Sequence, residues 1–356
     1  MIFFVLVLLL LIFNKAEFCK PNEFNKNYTS PDSTLAIKGI FVALILLSHG
    51  KGYIDLNSPY DAPYVALQNH LNQMVVAMFL FYSGFGMMES IKKKQSAYIT
   101  SLATKRFPNL FLNYSIAVLF YFVMDYCIGN PQTLKDLLIA IIGWNGIGKS
   151  SWYIFVIFVM YIATIIAFLP KYFSKNKFVE FLSIVILSVL GVALILALKK
   201  AGKEGFWYNT IVLFVLGFWY SFFKDVIEKI VMKNDAVYLT CLGVVIVGYS
   251  YFTLHRWDRL LMYEIWAILF CALIVLLSMK ITFQNEILKF LGKHIFSIYV
   301  LQRIPMILLD HYGVSDRHKY IFIISSIAIS VVMAVLYDNF TAKLSKLIWK
   351  PKKNLS

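Results

Sequence analysis

Apolar residues along this chain fall in blocks of roughly 17–22, each closed by charged or turn-forming residues, and a block of that length crosses a bilayer core as a helix. Ten such spans are expected, near residues 35–54, 72–91, 110–128, 152–169, 180–198, 207–223, 237–254, 260–279, 293–309 and 320–340. The connections are short and leave no room for a separate soluble domain. A lipid phase forces every backbone polar group to find an internal partner, so helical hairpins are the expected form. The predicted fold class is all-α, a polytopic membrane bundle of about ten transmembrane helices.

The two ends behave differently from the middle. The first 13 residues, MIFFVLVLLLLIF, are short for a span and lack the basic start of a secretory signal. They read as a signal-like or partly inserted segment, with an extra span as the alternative. Residues 14–34 are a polar linker in which Ser33 or Thr34 is expected to cap the first helix. The organisation expected is therefore an N-terminal segment over 1–34, a transmembrane domain over 35–340 and a basic tail over 341–356.

Composition supports this reading. Of the 356 residues 60% are hydrophobic and 15% charged, and mean hydropathy is +0.71. A soluble domain averages about 25% charged residues, so the chain has too little polar sequence to make a wetted surface. The net charge of +15 would suggest nucleic acid in a soluble protein. Here it marks cytoplasmic loops: with residue 35 starting inside, 23 of the 34 Lys and Arg fall on the cytoplasmic side. Both ends of the main domain are therefore expected in the cytoplasm, in a cell (plasma or inner) membrane. The four cysteines form no CxxC and no ligand spacing, so no metal site and no disulfide framework are expected.

A few polar residues break the apolar blocks. In the first span Lys38 and His49 are eleven residues apart. That spacing is about 20° past three full turns, so both lie on one helix face, roughly 16 Å apart along the axis. In the second span Ser83, Gly84 and Gly86 let a neighbouring helix approach closely. The basic run Lys92–Lys94, Lys105 and Arg106 follows, suited both to a cytoplasmic loop and to the phosphates of a cofactor. The ninth span carries Ser297, Tyr299, Gln302 and Arg303, and an arginine at such depth has to face the bundle interior or a wet cavity. Residues 143–150 fit G-x-x-x-x-G-K-S. A phosphate loop needs a preceding strand, and the preceding segment here is helical, so a turn beside an interfacial Trp is the better reading.

Four separated segments of the chain resemble the membrane acyltransferase-3 family. They are Lys38-Gly39 with His49, then Ser83-Gly84-Phe85 with Arg106, then Trp152-Tyr153-Ile154, and last Leu291-Gly292 with Ser297-Ile298-Tyr299-Val300. The resemblance covers about residues 34–340. Lys38 stands where the family usually has Arg, Asn109 where a second Arg is common, and Gln302 where His is frequent. The resemblance implies an O-acetyltransferase-like enzyme that moves an acyl group, commonly acetyl, from a cytoplasmic acyl-CoA (acetyl-CoA) to a hydroxyl of a cell-surface or lipid-linked glycan. The partners implied are membrane lipid, the glycan and the acyl-CoA, with no nucleic acid. His49 is the expected general base, Lys38, Lys105 and Arg106 the expected cofactor-binding residues, and Ser83, Tyr299, Gln302 and Arg303 candidates for substrate or oxyanion contacts. The competing reading is a glycan transporter or flippase without chemistry. It is disfavoured because no internal repeat and no pair of broken helices is evident.

Overall fold

The computed structural model describes residues 1–149, 151–174 and 176–348. The helices, in chain order, are α1 (Ile2–Phe13), α2 (Pro31–Gly50), α3 (Ala62–Leu71), α4 (Met74–Lys94), α5 (Ser96–Ser101), α6 (Phe107–Cys127), α7 (Leu134–Ile141) and α8 (Ser151–Ala167). They continue as α9 (Lys177–Lys200), α10 (Val212–Val231), α11 (Asp235–His255), α12 (Leu260–Lys280), α13 (Glu286–Lys293), α14 (Ile295–Leu301), α15 (Arg303–His311), α16 (Val314–Arg317) and α17 (Lys319–Ile348). Two three-residue strands, β1 (Ala16–Phe18) and β2 (Ile281–Phe283), complete the set. The chain is an all-α, multi-pass membrane protein. Among the described residues eight helices are long and apolar enough to cross a bilayer, and Ile2–Phe13 and Ser151–Ala167 are shorter apolar helices.

Each expected span coincides with helix, with informative differences. The ninth, 293–309, is split at Gln302 into α14 and α15. Pro305 has no N–H for the Leu301 carbonyl, and its ring crowds that carbonyl, so the helix cannot pass straight through. The first helix begins at Pro31 rather than near residue 35, and its cap is Ser30, whose Oγ accepts from the Ser33 N–H at 3.1 Å. Proline at the first helical position, where an N–H would be orphaned anyway, sets this earlier start. The basic stretch before α6 is helical too. α5 runs into a π-helical turn, Leu102–Arg106, and Phe107 N–H reaches back to the Leu102 carbonyl. Pro108 cannot donate to Thr104, and the wider turn accommodates the missing bond. α17 runs to Ile348, so residues 341–348 of the expected tail are helix, while 349–356 lie outside the described residues.

The chain divides into two compact units. The first holds Met1–Ile45, Leu56–Ile99 and Ile162–Lys293. Within it α4 packs on α10 and α11 on α12. The α4–α10 seam is closed by small residues: a Cβ on Gly84 would stand 1.9 Å from the Phe214 carbonyl oxygen, and one on Gly217 would stand 2.3 Å from that of Phe81. Between apolar helices in lipid such close backbone approach supplies the attraction that water would supply elsewhere. α1 lies against α3 and α13. After it the polar linker is tied down: β1 pairs antiparallel with β2, Glu17 opposite Thr282, and Lys280 bridges Asp235 at 2.5 Å and the Glu23 carbonyl at 2.8 Å.

The second unit holds Leu46–Asp55, Thr100–Tyr161 and residues from His294 onward. There α14 and α15 both pack along α17, and α6 contacts α7 and α14. The break between α14 and α15 is held by polar groups. Gln302 Nε2 donates to the Tyr299 carbonyl at 3.2 Å, and Ser330 Oγ of α17 donates to the Gln302 carbonyl at 3.4 Å. The Asp338 carboxylate of α17 takes hydrogen bonds from His294 Nδ1 and Ser297 Oγ at the head of α14.

One seam of the first unit is tight enough to test. A Cβ on Gly39 of α2 would lie 1.8 Å from the Leu288 carbonyl oxygen, and one on Gly292 of α13 would lie 1.9 Å from that of Leu35. Gly39→Ala and Gly292→Ala should each lower stability by about 1–3 kcal/mol through overpacking, read as a drop in thermal unfolding midpoint in detergent. Gly243→Ala on α11, where a Cβ meets nothing within 4 Å, should be neutral or slightly stabilising because Ala is the better helix former. Equal midpoints for all three variants would contradict the packing described.

Candidate active site

The last turn of α2 delivers His49 into the second unit. The following short helical turn, Lys51–Tyr53, brings Tyr53 behind it. The side chains acting on the imidazole are Gln302 and Arg303, from the junction of α14 and α15. Arg303 donates through Nη1 to the Tyr53 hydroxyl at 3.5 Å, and the Tyr53 ring leans on Phe322 of α17 at 5.7 Å. α6 contributes Tyr121, 1% exposed, on which Arg303 and Tyr53 both act.

This cluster gathers unspent hydrogen-bonding capacity in one place. His49 Nδ1, Gln302 Oε1, Arg303 Nε and the Tyr121 hydroxyl are all buried, and none has a hydrogen-bond partner among the described residues. Buried polar atoms are normally paired, so four partnerless ones in one place read as a site built to receive polar groups. Two are acceptors or a base and two are donors, the set that acyl transfer needs.

Tyr299, 3% exposed, sits beneath the cluster. Its carbonyl takes Gln302 Nε2, and its ring meets Tyr153 of α8 edge-on at 5.2 Å. The segment before α8 folds back on α6: a Cβ on Gly148 would stand 2.7 Å from the Tyr114 hydroxyl. Asn145 Nδ2 donates to the Asp136 carbonyl at 2.7 Å, and Ser151 Oγ donates to the Asn145 carbonyl at 2.5 Å. This is the stretch that mimics a phosphate loop. It runs from helix to helix with no strand before it, and its Ser150 lies outside the described residues.

Lys38 belongs to a different feature, a cavity of about 390 Å³ in the first unit. The opening turn of α2 forms one wall, Tyr82, Phe85, Gly86 and Glu89 of α4 another, and four lysines line it: Lys26, Lys38, Lys93 and Lys224. Lys38 Nζ donates to Thr34 Oγ1 at 3.4 Å and lies 5.6 Å from the centre of the Tyr82 ring. Lys224 is 3.6 Å from Glu228 and faces the Phe85 ring at 5.9 Å. Glu89 accepts from Ser221 Oγ at 2.6 Å and Lys92 at 3.2 Å. Beside Lys224, Tyr28 hydrogen-bonds Tyr220. Burial, reinforced by Tyr220, holds the Tyr28 phenol well above its usual range, so it stays neutral. The lysines outnumber the lone carboxylate lining the cavity, which suits a polyanion.

The expected site residues therefore separate. His49, Gln302 and Arg303 meet, with Tyr299 directly beneath them. Lys38 lines the lysine cavity, whereas Lys105 and Arg106 are exposed on the π-helical turn and are not among its lining residues. Ser83 is half-buried on α4 beside Gly84, and it is Gly84 that makes the close helix contact. Sequence reasoning missed Tyr121, Tyr53 and the lysines at 26 and 224, and named Lys93 only as part of a basic run. The one available signal was Tyr114 and Tyr121, seven residues apart on the same face of α6.

Residues 35–338 match the family model described as an acyltransferase domain, Acyl_transf_3. No curated protein and no solved structure matches the chain. With the matched segment taking in nearly all of the membrane helices and the whole His49 cluster, the chain belongs to the acyltransferase-3 family and is a membrane acyltransferase.

Proposed function

We propose that this protein transfers an acyl group, acetyl in the simplest case, from acyl-CoA to a hydroxyl of a cell-surface or lipid-linked glycan, with His49 as general base. The observation that carries this reading is the buried Nδ1 of His49 facing the buried Oε1 of Gln302, neither spent on any other group. In this reading His49 Nδ1–H donates to Gln302 Oε1, which sets the tautomer. Nε2 is then left basic and removes the proton of the acceptor hydroxyl as its oxygen attacks the thioester carbonyl. An imidazole is matched to this work because its ordinary pKa lies near neutral pH. The family membership supports acyl transfer, while acyl-CoA, the glycan and the cell membrane with both domain ends in the cytoplasm are part of the proposal.

The lysine cavity is the proposed seat of the donor's phosphates. Lys26, Lys38, Lys93 and Lys224 offer point charges to them, and neutral Tyr28 stands beside Lys224 as a further donor. Lys105 and Arg106, exposed on the π-helical turn, are proposed as donor contacts on the strength of the resemblance.

Two outcomes are expected. With labelled acetyl-CoA and membranes carrying endogenous glycan, His49→Ala at matched expression should lose about 10²–10⁴-fold of the transfer seen for the parent protein. Transfer retained in the variant would remove His49 as the base, and a parent protein that consumes no acyl-CoA would favour the transporter reading. Lys38→Ala should raise the KM for acetyl-CoA about tenfold or more while changing kcat little, because a charged hydrogen bond to the bound donor is lost. An unchanged KM would detach the cavity from the donor.

A further inference from the structure

We propose that the Tyr121 hydroxyl, together with the Arg303 guanidinium, forms the oxyanion site of this enzyme. The inference rests on the acyl-transfer reading above and adds to it a catalytic residue that lies on a different helix from His49.

Tyr121 projects from the middle of α6 and is 1% exposed. Its ring buries apolar area as any aromatic would, but its O–H donates to nothing among the described residues, and only the Arg303 backbone approaches its oxygen. A phenylalanine would pack as well there without that cost, so the hydroxyl calls for a ligand. Its polar neighbours are Arg303, Tyr53 and Tyr114, and Arg303 is also the charge acting on His49. Arg303 spends Nη1 on Tyr53 and keeps Nε buried and partnerless. Two donors therefore stand unspent beside one base.

The other groups of the cluster differ from Tyr121 in what they face. Gln302 has given Nε2 to the Tyr299 carbonyl, which leaves Oε1, an acceptor, as its buried partnerless atom. The Tyr53 hydroxyl accepts from Arg303. Tyr114, two turns before Tyr121 on the same face of α6, also keeps a buried, unpaired hydroxyl, but it stands against Gly148, beside Ser151 and edge-on to Phe158 at 5.7 Å, and neither His49 nor Arg303 acts on it.

The step balances without further reagents. The acceptor oxygen bonds to the thioester carbonyl carbon and its proton passes to His49. The carbonyl π pair moves onto oxygen, where Tyr121 O–H and an Arg303 N–H donate to it. The C–S bond then breaks and the thiolate takes the proton back from the imidazolium, leaving an ester and free thiol. Donors fixed where charge develops are among the largest contributors to such reactions.

The test compares Tyr121→Phe and Tyr114→Phe in the full-length protein, in two measurements. In labelled acetyl-CoA transfer to endogenous membrane glycan, Tyr121→Phe should lower kcat about 10²–10³-fold, the usual loss for one oxyanion donor. KM for acetyl-CoA should stay within about twofold, and Tyr114→Phe should stay near parent activity. In thermal unfolding of the detergent-solubilised proteins, Tyr121→Phe should leave the midpoint unchanged or raise it. A hydroxyl with no partner stabilises nothing, whereas a structural one would cost more than about 3 °C on removal. Full activity in Tyr121→Phe, a loss confined to KM, or such a fall in midpoint would each overturn the proposal. If the parent protein transfers no acetyl, the donor reading fails by itself, and the midpoint still decides whether the Tyr121 hydroxyl is structural.

Discussion

A polar group held in hydrocarbon has no water to turn to, and each one left unpaired costs several kcal/mol. Nearly everything in this structure answers that constraint. The backbone is wound into helices, and where prolines interrupt the winding, other groups make up the bonds. Around Pro305 the Gln302 amide and the Ser330 hydroxyl cover carbonyls at the break. Ahead of Pro108 a π-helical turn reroutes the ladder. The rule also gives meaning to its exceptions. His49, Gln302, Arg303 and Tyr121 keep buried atoms unpaired within one unit of the fold, and an acyltransferase of this family has to receive a thioester and a hydroxyl somewhere.

The same solvent removes the hydrophobic drive between helices and replaces it with close fit. Glycines at 39, 84, 217 and 292 let backbone carbonyls come within reach of neighbouring helices. They hold α2 on α13 and α4 on α10. Gly86, two residues beyond Gly84, does no such packing and instead lines the lysine cavity. One small-residue stretch on α4 thus serves both a seam and a cavity, because residues two apart on a helix point to nearly opposite faces.

Charge is arranged to match. Ion pairs that tie elements together, Lys280 with Asp235 and Lys171 with Glu180 at 3.1 Å, join residues distant in sequence or separated by a turn. The four cavity lysines face only one lining carboxylate, Glu89, which is itself engaged by Ser221 and Lys92. Positive charge left over in a cavity is a binding feature.

Much of this was legible in the chain itself. Length and hydropathy of the apolar blocks determined the class of fold and the positions of the spans, since helix in lipid is dictated by local composition and by the rise per residue. Lys38, His49, Gln302 and Arg303 stood out because polar residues in apolar blocks are rare and have to be accommodated. Other features were beyond it. The pairing of β1 with β2 depends on a partner about 265 residues away in the chain. Lys26 and Lys224 look like any other basic residues, and Lys93 like one of a basic run, until three separate segments are brought around one cavity. Tyr121 is one of 22 tyrosines, and only packing shows that its hydroxyl is buried and unpaired. Spans follow from local sequence because the membrane judges each segment by itself. Partners do not, because which polar atoms remain unpaired depends on what every other helix has already satisfied.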